Sequence, residues 1–169
     1  MTTKTLTGIY GSAYNLTSPI TTLSITASGY LGAGLLAAGA GTYTIVNHGL
    51  VQAAGYAISV AGIGIVTNTG TIQSAAGAGG IILGNGGVVT NGGAGALTAL
   101  IAGNRGVQLN GAPGTVTNSG TIIGSTTWGV QITDGGMVTN GPAGATQALI
   151  EGGQDSAGAI YIAQGGTVH

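Results

Sequence analysis

The chain has no cysteine. Disulfides and thiolate metal sites are excluded. Charge is nearly absent as well. Lys4, Arg105, Asp134, Glu151 and Asp155 are the only charged side chains in 169 residues, and the net charge is −1. Nothing here offers the electrostatic footprint of a binder of nucleic acid or of an anionic membrane. So little charge departs from an ordinary globular surface. It points to a surface of Thr, Ser, Asn, Gln and Gly, with backbone hydrogen bonds carrying the architecture. No apolar run approaches ~18 residues, which excludes a membrane-spanning helix and membrane insertion by that route. The N-terminal MTTKTLTGIYG lacks an apolar core of signal-peptide length. If the protein is secreted, its export signal lies outside this chain, was removed, or leaves no N-terminal mark.

Glycine, by contrast, is abundant at 37 residues, against three prolines, and 43% of the chain is apolar. That apolar share excludes disorder. Glycine does not recur at every third position, which excludes a collagen helix.

The apolar residues are organised by a repeat. VTNSGTIIG at Val116–Gly124 has relatives in IVNHGLVQ from Ile45, VTNTGTIQ from Val66, and longer versions from Val89 and Val138. The residue two before each Asn gives a register of Ile45, Val66, Val89, Val116, Val138 and Val168, with spacings of 21, 23, 27, 22 and 30. A period in the twenties is the mark of stacked rungs. A second segment precedes each VTN: AISV, GIIL, GVQL, GVQI and AIYI. A third follows the Asn and is centred on Val51, Ile72, Ile101, Ile122 and Ile150. In the rungs from Val89 and Val138, six extra residues enter between Asn and this third segment. Confining length variation to one corner is what a solenoid tolerates, because strands must stack and loops need not.

These spacings predict an all-β fold: a right-handed parallel β-helix, or β-solenoid, with three short strands per rung. Its handedness is taken from the general bias of parallel crossovers. At roughly 4.8 Å per rung, five to six rungs make a rod roughly 25–30 Å long. Residues 1–30 lack the VTN motif and read as an N-terminal cap or atypical first rung. Residues 31–169 carry the repeats, and the chain stops in mid-motif at His169, as a fragment of a longer solenoid does. In the Gly/Ala-rich segment before Tyr43, Leu35 and Leu36 are the expected inward residues. A short helix is the competing reading there, and the flanking glycines argue against it.

Few residues carry chemistry. Asn47, Asn68, Asn91, Asn118 and Asn140 form one column. Stacked amides bond to one another and to turn backbone, so a structural ladder outweighs a ligand-binding stripe. Thr67, Thr90, Thr117 and Thr139 form an outward column, and an ice-binding face is one reading of it. The simpler one is β-propensity on a solvated face. Only the rung at Val66 sets Thr67, Thr69 and Thr71 in regular succession. Arg105 and Trp128 share a rung position, which suggests a cation–π pair, and Tyr56 holds that position two rungs earlier. These three are candidate surface-binding residues, a small carbohydrate platform set against simple corner packing. Gln108, Gln131 and Tyr161 follow one another in the next outward column. Asp134, Glu151 and Asp155 sit in separate turns, which is too dispersed for the carboxylate cluster of a glycan-cleaving enzyme. His48 and His169 have no neighbours at metal-ligand spacing. No calcium nonapeptide, phosphate loop or cofactor motif is present, so no catalytic, metal or cofactor residue is assigned.

With these motifs in view, the chain resembles the β-helical repeat regions of large bacterial surface proteins, including autotransporter passengers. It also resembles VTN-GTI arrays of acetic-acid-bacterium-like secreted proteins, some of which carry a Hint-type processing domain. The resemblance covers about residues 43–169. It implies a non-enzymatic structural or adhesive module, extracellular or on the bacterial cell surface, and its partners would be a glycan or a cell surface. Two further readings stand beside it. One is a self-assembling fibre subunit that partners itself by end-to-end rung stacking. The other is a carbohydrate-active enzyme or an ice-binding protein.

Overall fold

A computed structural model describes residues 2–75, 77–141, 147–153 and 158–169. Among these residues the structure is strand and turn, with no helix. The chain winds through three strands per turn. The first turn is β1 (Thr2–Leu6), β2 (Ile9–Tyr10) and β3 (Tyr14–Asn15), and the second is β4 (Ile20–Ile25), β5 (Tyr30–Leu31) and β6 (Leu35–Ala37). Then come β7 (Thr42–Asn47), β8 (Leu50–Ala53), β9 (Ile58–Val60), β10 (Ile63–Asn68), β11 (Thr71–Ser74) and β12 (Ile81–Leu83). They are followed by β13 (Gly87–Asn91), β14 (Leu100–Gly103), β15 (Val107–Leu109), β16 (Gly114–Asn118), β17 (Thr121–Gly124) and β18 (Val130–Ile132). The last four are β19 (Gly136–Asn140), β20 (Leu149–Glu151), β21 (Ile160–Ile162) and β22 (Gly166–Val168).

Every third strand pairs in parallel, giving three sheets of eight, seven and seven strands. This is a parallel β-solenoid. The register runs residue to residue, as in Val66↔Val89, Val89↔Val116 and Val116↔Val138. β1 to β6 join the same sheets as the repeats, so residues 2–30 stack directly beneath them. The six-residue insertion after Asn91 falls where expected, between β13 and β14; most of the one after Asn140 lies outside the described residues.

The sequence pattern explains this core. Between the end turns the strands alternate, and one set of alternate residues is buried. Leu23, Ile45, Val66, Val89, Val116 and Val138 form one inner column, and Leu31, Val51, Ile72, Ile101 and Ile122 form another. The third sheet gives two: Leu35, Ile58, Ile81, Val107 and Val130, and Ala37, Val60, Leu83, Leu109 and Ile132. Burying each Val, Leu or Ile is worth roughly 1.5–3 kcal/mol. A single turn has no second layer to bury them against, so only the stack realises that gain.

One expectation needs correction. Leu36 does not face inward with Leu35: Leu35 and Ala37 are buried, and Leu36 is 42% exposed. The segment is strand, so adjacent side chains take opposite faces. In-register pairing of Leu35 with Ile58 and Ala37 with Val60 leaves Leu36 beside outward Ser59.

The first sheet has a further inward column, of glycine: Gly64, Gly87, Gly114, Gly136 and Gly166 lie in register. At Gly87 the backbone is left-handed, with φ +132°, and an added Cβ would lie 2.0 Å from the Gly64 carbonyl oxygen. Replacing Gly87 by Ala is expected to destabilise the fold by about 1–3 kcal/mol. Gly55→Ala, where nothing lies within 4 Å, is the control and should leave the melting temperature unchanged. Equal melting temperatures for the two variants would contradict this account of the corner.

Candidate functional site

At the corner between the first and second sheets, the Asn of each VTN turns its side chain inward. Asn47, Asn68, Asn91 and Asn118 are fully buried, and Asn140 is partly so. Each Nδ2 donates to the Oδ1 of the next turn at 2.8 Å: Asn47 to Asn68, Asn68 to Asn91, Asn91 to Asn118 and Asn118 to Asn140. Backbone carbonyls surround the same nitrogens. Asn68 Nδ2 reaches the oxygens of Gly70 and Leu100 at 3.1 Å each, and Asn118 Nδ2 reaches those of Gly120 and Leu149 at 3.0 Å. Those carbonyls fix which end of each amide is nitrogen, so all five point the same way. A chain of aligned hydrogen bonds in a dry interior strengthens each member. Fully buried amides offer nothing to a ligand, and their chemistry is structural. Toward the N-terminus the same column becomes Ile25 and Leu6, where the ladder ends on apolar side chains.

The candidate surface-binding residues gather on the corner that leads into the third sheet. Tyr56, Arg105 and Trp128 are all half-buried. The Tyr56 ring lies over Gly79, whose added Cβ would meet it at 2.6 Å, and its hydroxyl donates to Gln108 Oε1 at 3.2 Å. Glycine at that corner leaves Tyr56 free to span a whole turn. Gln108 in turn donates from Nε2 to Asn110 Oδ1 at 3.2 Å. Gln108, Gln131 and Tyr161 are successive in register on the outer face. The ring contact of Trp128 is with Tyr161, at 5.2 Å between centroids and tilted by 39°. No cation–π contact between Arg105 and Trp128 is present among the described residues. Three buried polar atoms here have no hydrogen-bond partner among the described residues: Asn104 Oδ1, Arg105 Nε and Gln131 Oε1. Asn104 escaped sequence reasoning, because it lies in a turn with no counterpart in the repeat.

The carboxylates are not brought together. Asp134 accepts from the Gly111 backbone N–H at 2.7 Å and from the Thr133 hydroxyl, in the turn between the third and first sheets. Glu151 is exposed on β20 of the second sheet. Asp155 lies outside the described residues. His48 Nδ1 shares a hydrogen bond with Thr69 Oγ1 at 2.6 Å. His169 continues the first sheet by backbone bonds to Val138 and Asn140. No group of three His, Cys, Asp or Glu suited to a metal ion is present among the described residues.

The outer face of the first sheet carries Thr67, Thr90, Thr117 and Thr139 in one column. The parallel column two residues earlier runs Thr22, Thr44, Ile65, Val88, Thr115 and Met137. Aliphatic side chains thus interrupt the hydroxyl ranks. Thr71 belongs to β11 of the second sheet and does not extend this face.

The ladder predicts a graded cost. Asn91→Ala removes two buried amide bonds and leaves the Ala99 and Thr121 carbonyls without their side-chain donor. A loss of about 1–3 kcal/mol is expected by chemical denaturation. Asn140→Ala, at the partly buried end, should lose clearly less, and equal losses would show that the amides act independently. Compared with protein-family models, curated proteins and solved structures, the chain matches none.

Proposed function

We propose that this chain is a rigid, non-enzymatic structural or adhesive module of an extracellular bacterial surface protein. The observation that carries the reading is the strand register, held from β4 to β22 in an eight-stranded sheet. Such a stack presents columns of side chains at fixed spacing along its length, a geometry suited to holding a contact surface away from its anchor. The scarcity of charge suits contact with uncharged surfaces. The resemblance of the VTN-GTI repeat to bacterial surface arrays supports the same setting.

End-to-end assembly is the rival, and the two ends differ in how they bear on it. At one end Lys4 occupies the core column, in register with buried Leu23, and is exposed. A charge at an inward position on an edge strand blocks further pairing, because stacking another turn on it would desolvate the ammonium. At the other end Val168 continues the same column and is 54% exposed. Head-to-tail growth of identical copies would bury Lys4 at every junction.

Two measurements test this reading. Sedimentation velocity should give isolated rods for the natural chain and raised self-association for Lys4→Leu; fibres of the natural chain would favour the assembly reading. A binding screen on immobilised glycans and intact cells should show retention without turnover. Release of reducing ends from any bound glycan, lost on substitution of Asp134 or Glu151, would replace the adhesive reading with an enzymatic one.

A further inference from the structure

We infer that the corner formed by Tyr56, Gln108, Arg105, Trp128, Gln131 and Tyr161 binds an uncharged polysaccharide chain lying along the rod axis. This rests on the adhesive reading and names its ligand class. The side chains there form one band. Tyr56 and Trp128 hold the same position of the turn, and the Tyr56 hydroxyl is tied to Gln108. Gln131 follows Gln108 in register, and Tyr161 follows Gln131. The Trp128 and Tyr161 rings meet as a tilted pair, with Tyr161 42% exposed.

Three properties of the band fit a sugar polymer. Aromatic faces pack against the C–H faces of pyranose rings and release water from both, the usual apolar gain of exposed aromatics. The amides flanking them supply donors and acceptors matched to hydroxyl groups. The turns repeat at about 4.8 Å, close to the length of one pyranose unit in an extended chain, so successive units of a polymer parallel to the axis would meet Gln108, Gln131 and Tyr161 in order.

Charge decides between polymer classes. Arg105 is the only charged member of the band, whereas a polyanion would select for a run of cations. The structure therefore favours a neutral chain over a polyuronate.

The protein supplies its own reporter, because Trp128 is its single tryptophan. The natural chain is titrated with a soluble neutral β-glucan and, separately, with a polyuronate of similar length, while tryptophan emission is followed. A saturable emission change with the β-glucan is expected. Gln131→Ala and Tyr161→Ala should each weaken it about tenfold, a loss of about 1.4 kcal/mol, with unchanged melting temperatures. Two results would overturn the site while leaving the adhesive reading standing: β-glucan retained with no emission change, or chain retained on cells with neither polymer perturbing Trp128. A response to the polyuronate alone would overturn the neutral class. No retention on any glycan or cell would end both readings.

Discussion

Everything in this molecule depends on strands staying in register from turn to turn. In a globular domain a core residue answers to a varied set of neighbours. Here each residue answers chiefly to its equivalents one turn before and one turn after. That constraint explains why valine sits above valine, isoleucine above isoleucine, and glycine above glycine. A slip of one residue in any strand would send its apolar set to the solvent face. The asparagine ladder locks this register. Each amide grips the next turn at 2.8 Å and also holds the backbone of its own corner. Apolar columns tolerate small axial shifts, but a directional amide chain does not.

The same constraint frees the corners. Six extra residues enter between β13 and β14 while Asn91 still pairs with Asn118 and Ile101 with Ile122. Function in a solenoid is therefore best sought where the repeat is broken, not where it is strictest. Arg105, Trp128 and Tyr56 occupy one corner position at which other turns carry Gly79 and Gly158. The inner columns change little in character over the same turns. Low charge follows as well: long faces of Thr, Gln and Ser stay hydrated without ions.

Much of this was legible in the sequence, for a physical reason. A repeat that must stack shows its register directly, so the three strands per turn, the inward Val of VTN, the Asn column and the insertion corner were all readable. The early turns were less clear because Leu6 and Ile25 stand where later turns have Asn. Without the amide, their membership in the same column left no mark. Leu36 was misplaced because a Gly/Ala-rich stretch gives too few apolar residues to fix the phase of alternation. At the corner, register gave the order of Arg105 and Trp128 but not the direction of their side chains. The ring of Trp128 meets Tyr161 of the following turn instead.

The central claim is that the buried amides form one continuous hydrogen-bonded chain through the rod. Hydrogen exchange of the side-chain amides, followed residue by residue by NMR, tests it most directly. The account predicts that the Asn68, Asn91 and Asn118 side-chain protons exchange as slowly as the core backbone, because they are released only when the stack opens. Asn85, exposed in a turn, should exchange freely. Ladder amides exchanging at the rate of Asn85 would contradict the account and leave the register to apolar packing alone.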